Sequence, residues 1–268
     1  MPLNIAVLVK ASLDPNMIRT GSDGGVDAAA TPLAISEYDK NAVEAAVQLK
    51  EKHGGRVVAV SALTWGPSAR KRKELEQVIR EALAMGVDEA HIIIDDALIP
   101  GDPLLTARAV TALLQKLGGF DLIITGEASM DMISGQIGGR VAALMGLPFI
   151  SYARSLEVDA GAGVVRAVRD LEESLQTVKA KMPAVVSVTG EANKPRIPTL
   201  LQIRRAMRKP VKTYSLSDLE VDSVAKPRLV EMKLIQVKRK NVIIEAETLE
   251  QAAEKLIEYL EQEGVLPK

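Results

Sequence analysis

A glycine-rich loop at residues 126–138 is the segment best suited to bind a phosphate. It follows an apolar run, 121–125, that predicts a buried strand, and it leads into an amphipathic run, 136–145, that predicts a helix. Glycines let backbone N–H groups approach a phosphate closely, and the amino end of a helix attracts negative charge. Glycine also accumulates in tight turns that bind nothing, so the loop alone leaves a phosphate site and a plain turn equally open.

Residues for acid–base, nucleophilic or metal-assisted catalysis form no recognisable motif. The chain has no Cys, which excludes disulfides, thiolate nucleophiles and cysteine-bound metal clusters. Its two histidines, His53 and His91, stand outside any cluster of ligating residues, and we assign neither a role. The motifs GxxxxGK[ST], GxSxG and HExxH are absent. We therefore expect no catalytic residues and no metal site.

Short β-branched runs alternate with longer amphipathic runs over the first 190 residues and must position this loop. Such alternation predicts a Rossmann-like α/β fold, with a parallel sheet and helices on both faces. The predicted strands are 4–10, 56–64, 91–95, 121–125 and 184–189, and the predicted helices are 39–52, 69–85, 103–117 and 136–145. Ligands of such sheets bind beyond the carboxyl ends of the strands, which selects the loops after Lys10, Thr64 and Thr125.

Capping residues and turns place further boundaries. Ser68 and Asp102 are suited to cap the second and third helices. Residues 149–188 predict several strands around a turn at 161–163, added in antiparallel fashion at the sheet edge.

The chain changes character at residue 193. Segment 193–240 carries 13 Lys and Arg against 4 Asp and Glu, a net charge of +9 in a chain of net charge −1. Such asymmetry indicates a docking arm, although a solvated basic surface explains it as well. Prolines at 195, 198, 210 and 227 are expected to interrupt any regular element here. A final helix is predicted at 249–263, with Thr248 and Gln251 forming a capping box.

The composition favours a water-soluble globular protein. With 47% hydrophobic residues the chain can build a sizeable core, and no run approaches the ~18 apolar residues that a membrane-spanning helix needs. The amino terminus has no basic leader, so we expect a cytoplasmic location and no membrane span.

Four segments, in order along nearly the whole chain, resemble the electron transfer flavoprotein beta subunits, also called the FixA group. The third resembles the nucleotide-binding loop of that family, and the fourth resembles its signature and partner-recognition loop, with Ser174 where Gly is usual. The segments are Val9-Lys10 with 36–39 and 42–46; 82–86; 121–126 with Asp131 and 136–138; and 169–178 with 183–187 and 193–206.

The resemblance implies a heterodimeric electron carrier rather than an enzyme. An alpha subunit would hold the redox-active FAD, and this chain would hold AMP or a second FAD. Together they would shuttle electrons between dehydrogenases and an acceptor such as a quinone oxidoreductase, with flavin-based bifurcation in some members. Members with AMP usually have Gln-Thr-Gly where this chain has Gln-Ile-Gly at 136–138, and bifurcating relatives more often have an aliphatic residue there. The resemblance therefore favours FAD over AMP.

The nucleotide is expected at the carboxyl ends of the first and fourth predicted strands, with its phosphates against the loop. Asp131 is expected to shape the loop by accepting backbone N–H bonds rather than to touch the anion. The predicted cofactor-binding residues are Leu8, Lys10, Ser36, Glu37, Tyr38, Asp39, Ala62, Gly126, Glu127, Ala128, Ser129, Asp131, Ser134, Gly135, Gln136, Ile137 and Gly138.

The resemblance also assigns a docking role to the segment after residue 193. It implies that Leu200 inserts into a partner dehydrogenase while Arg204 and Arg205 steer the encounter. The implied organisation is a nucleotide-binding domain at 1–192, a dehydrogenase-recognition loop at 193–212, and an arm with a helix at 213–268 that docks on the alpha subunit.

Two other functions fit the same residues. A stand-alone adenine-nucleotide-binding regulator or hydrolase would share the fold, because fold alone does not fix function. RNA binding through the basic segment is the weaker alternative, since only Tyr214 offers a ring for base stacking there, and we expect no nucleic-acid partner.

Overall fold

A computed structural model describes residues 2–223, 227, 229–233 and 240–266. The chain divides into two compact units, residues 1–233 and residues 234–268. Within the described part, no helix combines the length and the apolar character that crossing a membrane requires.

The first unit alternates strands and helices as the sequence predicts. Its strands are β1 (Leu3–Leu8), β2 (Ala11–Leu13), β3 (Leu33–Ile35), β4 (Gly55–Leu63), β5 (Glu89–Ile94), β6 (Leu122–Gly126), β7 (Phe149–Asp159), β8 (Val164–Asp170), β9 (Leu175–Lys181), β10 (Ala184–Val188) and β11 (Val211–Tyr214). Its helices are α1 (Glu37–His53), α2 (Ala69–Met85), α3 (Pro103–Leu117), α4 (Ile137–Met145) and α5 (Leu200–Ala206).

Nine strands in the described residues form one sheet in the order β11-β5-β4-β1-β6-β10-β7-β8-β9. Neighbours from β11 to β7 are parallel, and β7, β8 and β9 are antiparallel. The predicted Rossmann-like α/β class and the antiparallel addition at the edge are therefore confirmed. Strand order reverses beside β1, because β4 and β5 lie on one side and β6 on the other. A sheet of this kind binds ligands at that reversal.

The two faces of the sheet carry separate hydrophobic cores. In β1, Leu3, Ile5 and Val7 pack into the core formed with α1 and α2, whereas Ala6 and Leu8 pack into the core formed with α3 and α4. Successive side chains of a strand point to opposite faces, so a strand covered on both faces is apolar throughout. This confirms that helices cover both faces of the sheet.

The predicted caps form and set the helix boundaries. Ser68 Oγ accepts a hydrogen bond from Lys71 N at 3.3 Å, and Asp102 Oδ1 accepts one from Leu105 N at 2.9 Å. Each bond satisfies a backbone donor that the first turn of a helix leaves free. As a result α2 and α3 begin at the predicted residues, and they end where predicted, before Gly86 and Gly118.

The prediction that prolines interrupt every regular element after residue 193 is wrong. Helix α5 lies between Pro198 and Pro210, and β11 follows Pro210 directly and joins the sheet beside β5. Thr199 and Gln202 form a capping box at the start of α5, with Thr199 N 2.7 Å from Gln202 Oε1 and Gln202 N 3.3 Å from Thr199 Oγ1. The prolines mark the ends of elements because each lies outside the segment that needs its backbone N–H.

The second unit contains the final helix, α6 (Leu249–Gln262). Only half of the predicted capping box forms, since Thr248 Oγ1 accepts from Gln251 N at 3.2 Å but Gln251 Oε1 accepts from Glu247 N. No residue of α6 is buried, and its apolar residues include exposed Leu256 and Ile257. Much of the predicted arm, at 224–226, 228, 234–239 and 267–268, lies outside the described residues.

Candidate functional site

A cleft opens at the carboxyl ends of β1, β4 and β6, where the strand order reverses. It encloses about 860 Å³ of empty space, including space open to solvent. Thirteen of the seventeen predicted cofactor-binding residues line it. They are Leu8, Lys10, Asp39, Ala62, Gly126, Glu127, Ala128, Ser129, Ser134, Gly135, Gln136, Ile137 and Gly138.

The other four predicted residues do not line the cleft. Ser36 Oγ accepts a hydrogen bond from Met130 N at 3.3 Å, and Tyr38 lies against Gly126. Glu37 is exposed and pairs with Lys40 at 2.9 Å. Ser36 and Tyr38 thus contact the glycine-rich loop from behind, whereas Glu37 belongs to the surface of α1. The fourth residue, Asp131, lies at the centre of a buried network.

Asp131 holds the loop through four donors. Its carboxylate accepts from Lys10 Nζ at 2.6 Å, Ser129 Oγ at 2.7 Å, Trp65 Nε1 at 2.7 Å and Leu13 N at 3.2 Å. Burial alone raises the pKa of Asp131, but the Lys10 charge and the bonds from Lys10, Ser129 and Trp65 outweigh it, so the pKa lies below its ordinary value. The carboxylate shapes the loop mainly through side-chain donors; the expected backbone bonding is limited to Leu13.

Asp39 fastens the start of α1 to the end of β1. Its carboxylate accepts from Lys10 N at 2.7 Å. Burial raises the pKa of Asp39 to about 7, against the Lys10 hydrogen bond, the Lys10 charge and a Gly126 backbone bond, which lower it. A Cβ at Gly126 would lie 2.7 Å from Asp39 Oδ1 and 2.8 Å from Tyr38 Cβ. Only glycine lets the chain pass this close to α1.

The charges at the cleft are compatible with a bound anion. Lys10 is partly exposed and lines the cleft. Burial raises the pKa of Glu127, and the nearby charges of Glu191 and Asp170 raise it further. Asp39 is also shifted toward its neutral form. Asp39 therefore carries less than a full negative charge near neutral pH.

Two hydroxyl groups at the cleft have unused hydrogen-bonding capacity. Ser61 Oγ and Thr64 Oγ1 are buried, line the cleft, and have no hydrogen-bond partner among the described residues. Buried polar atoms normally have a partner in the protein, in water or in a ligand. With apolar Leu8 and Ala62 beside them and the glycine-rich loop opposite, this set of residues fits an adenine nucleotide, which needs apolar contacts, a few polar partners and a phosphate cradle.

Twelve residues that line the cleft were not predicted from the sequence. For three of them a recognisable sequence signal was present. Pro100, Pro103 and Thr106 line the cleft from the start of α3, which follows β5 and has the Asp102 cap. A capped helix after a parallel strand is the pattern that selected the glycine-rich loop. The remaining missed lining residues are Val9, Val60, Ser61, Thr64, Val110, Thr125, Met132, Phe149 and Ser187.

The predicted docking residues lie together on α5. Leu200 is 82% exposed at its first turn, and Arg204 and Arg205 are exposed at its last turn. Four further apolar side chains of this segment are exposed, namely Ile197, Leu201, Ile203 and Met207. This arrangement combines an apolar surface with positive charge.

Both ends of α5 are fastened to the first unit. Before the helix, the Arg196 guanidinium contacts Glu44 at 2.8 Å and Glu51 at 2.6 Å. After it, Arg80 Nη1 donates to the carbonyl oxygens of Ala206 at 2.8 Å and Lys209 at 2.9 Å. A helix of seven residues is not stable alone in water, so these contacts maintain its shape.

Comparison with known proteins gives consistent matches. The sequence model of the electron transfer flavoprotein domain matches residues 24–219. A protein of Bacillus subtilis named electron transfer flavoprotein subunit beta is 34% identical over 271 residues, covering 98% of this chain and 99% of its own length. A protein of the same name from Thermoanaerobacterium thermosaccharolyticum is 33% identical over 222 residues, covering 82% of this chain and 81% of its own length.

Proposed function

Because this chain belongs to the electron transfer flavoprotein family, we propose that it is the beta subunit of a heterodimeric electron carrier. In this proposal an alpha subunit holds the redox-active FAD, and the present chain holds an adenine nucleotide and docks the electron-exchanging partners. The flavin supplies the redox chemistry, while the protein binds, orients and shields it. Such a role needs no acid–base residues of its own.

The observation that carries the proposal is the cleft at the strand-order reversal. Ser61 and Thr64 offer hydroxyls there that the described residues do not satisfy. The glycine-rich loop opposite leads into α4, whose amino end favours an anion. We propose that the adenosine lies near Leu8 and Ala62 and that the phosphates lie against the loop.

The identity of this nucleotide is proposed to be FAD rather than AMP. Ile137 lines the cleft at the position where AMP-holding family members usually have threonine. An isoleucine offers no hydroxyl for a phosphate, but it adds apolar surface against which part of a larger cofactor can pack. AMP is the alternative, and the two differ in mass and in absorbance above 400 nm.

Docking is proposed to use two segments that expose apolar residues, α5 and α6. Leu200, with Arg204 and Arg205, would form the dehydrogenase contact in a recognition loop at 193–212. The arm and α6 at 213–268 would dock on the alpha subunit and cover exposed Leu256. Residues 1–192 would form the nucleotide-binding domain. A quinone oxidoreductase is the proposed electron acceptor. If the nucleotide of this chain is FAD, the heterodimer is proposed to carry out flavin-based bifurcation.

Purification tests this function against the stand-alone nucleotide-binding protein. The chain, tagged and co-expressed with the alpha subunit from the same source, should elute as a yellow one-to-one complex whose flavin is bleached by dithionite. A stand-alone regulator or hydrolase would instead elute alone and colourless, and that result would contradict the electron carrier.

A further inference from the structure

Gln136 and Arg140 form a side-chain pair at the start of α4, beside the cleft. Arg140 Nε and Nη2 both donate to Gln136 Oε1, at 3.0 Å and 2.6 Å. The two residues are one helical turn apart, and Arg140 N donates to Gln136 O at 3.1 Å. Gln136 lines the cleft, whereas Arg140 is not among the described lining residues. The arginine can therefore act on a ligand through the glutamine.

The pairing fixes which end of the Gln136 amide is available. A guanidinium has only donors, so it can meet the amide oxygen but not the amide NH2 group. With its oxygen held by two N–H groups, Gln136 has its NH2 group left to offer a ligand. Gln136 also stands at the N-cap position of α4 without capping the helix through its side chain. The usual structural use of a side chain at that position is thus absent here.

A free glutamine would lack this preference. Its amide can turn over, and the oxygen would then face a ligand phosphate and repel it. Because Arg140 holds the amide oxygen, Gln136 presents its NH2 donor to the cleft rather than its oxygen. A pair of this kind on a helix surface adds little to helix stability, so its main consequence is orientation.

We propose that Arg140 is a positioning residue that orients Gln136 as a hydrogen-bond donor to the phosphate of an adenosine 5′-phosphate group, the part that AMP and FAD share. Arg140 itself does not contact the ligand. The inference rests on the proposed binding of an adenine nucleotide in the cleft. It makes Arg140 a determinant of selectivity for phosphorylated over unphosphorylated adenosine.

Isothermal titration calorimetry with AMP, FAD and adenosine tests the proposal. The sample is the full-length chain in its purified complex, after bound nucleotide has been removed. Arg140→Gln should weaken AMP binding about twofold, because the pair is weak and the freed Gln136 amide can still turn its NH2 group to the phosphate, and it should leave adenosine affinity unchanged within the error of the titration. If the parent binds FAD, the variant should show the same loss of affinity for FAD. Arg108→Gln is the matched control, because Arg108 is an exposed arginine of α3 outside the described lining of the cleft.

A double-mutant cycle separates orientation from a direct effect of charge. In a Gln136→Ala background, Arg140→Gln should leave AMP affinity unchanged within the error of the titration, because the amide that Arg140 orients is gone. Independent losses that multiply would show that Arg140 acts through its own charge and would overturn the inference. Parent-like AMP affinity of Arg140→Gln would overturn it too, while the nucleotide site would stand. A parent that binds neither AMP nor FAD would refute both the inference and the site.

Discussion

Asp131 is the buried residue whose replacement should disturb the site most directly. In Asp131→Asn the side chain keeps its shape but loses its charge and one acceptor. Lys10 then retains a partly buried charge with Ser129 Oγ as its remaining hydrogen-bond partner there, at 3.1 Å. The new amide NH2 group also faces donors, since Lys10 Nζ, Trp65 Nε1 and Leu13 N all point at the present carboxylate.

The expected loss is about 3 kcal/mol in the free energy of unfolding at neutral pH. Removing one partner of a buried ion pair costs about 3–5 kcal/mol. The lower end applies because the Asp131 side chain is only 3% exposed but the Lys10 side chain is 24% exposed and can partly rehydrate. Glu76→Gln is the control with the same change in net charge. Its pair with Arg80 is 3.4 Å long, and Glu76 is 55% exposed, so about 0–1 kcal/mol is expected.

Urea unfolding followed by far-UV circular dichroism measures both variants. Trp65 is the only tryptophan of the chain, so its emission reports on the same site, and it should shift in native Asp131→Asn but not in Glu76→Gln. If Asp131→Asn unfolds within about 0.5 kcal/mol of the control with unchanged emission, the network does not hold the loop as described.

Four other changes test separate parts of the account. Gly135→Val should lower nucleotide occupancy without unfolding the protein. Gly135 has φ +59°, which valine rarely adopts, so the substitution should distort the loop that holds the phosphates; full occupancy after gel filtration would contradict the assignment. Leu200→Ala should slow electron exchange with the partner dehydrogenase in stopped-flow absorbance while stability stays unchanged, since Leu200 is exposed; parent-like rates would remove it from docking. Replacing both Arg204 and Arg205 by Glu should lower the rate of association with the dehydrogenase and reverse part of its dependence on ionic strength. A rate that responds neither to the charge reversal nor to salt would indicate a solvated surface. Asp39→Asn should change how stability depends on pH. Because the pKa of Asp39 is raised from 3.8 to about 7, the folded protein keeps a proton that the unfolded chain releases, so the parent loses stability relative to the variant as pH rises through this window. Urea titrations give the free energy of unfolding at about pH 4.5 and about pH 7. The change between these two pH values should differ between parent and variant by on the order of 3 kcal/mol, and parallel pH profiles would refute the shift.

The elements that the sequence predicts correctly are those with local signals. Helices α2 and α3 are bounded by Ser68 and by Asp102 with Pro103, and each cap lies within three residues of the backbone donor it satisfies. The central strands β1, β6 and β10 are largely apolar because both of their faces are buried. Such signals need no knowledge of the rest of the fold.

The elements that escaped prediction are short or depend on distant contacts. Strands β2 and β3 have three residues each, and α5 has seven residues between two prolines, so their periodicity is too brief to recognise. At the site, the loop was predictable from its glycines, but its support was not. Asp131 meets Lys10 and Trp65 across 121 and 66 residues of chain. Ser187 reaches the cleft from β10, the neighbour of β6, and Phe149 reaches it from β7, the next strand beyond β10.

Counting the nucleotides released from the purified complex tests the central claim most directly. The chain is co-expressed with its alpha subunit, the complex is desalted and precipitated with acid, and the FAD and AMP in the supernatant are separated and quantified by chromatography. We expect two adenine nucleotides per heterodimer, one of them the FAD of the alpha subunit, and a loss of about one in the Gly135→Val variant. A single FAD per heterodimer, unchanged by that variant, would show that the cleft of this chain holds no nucleotide.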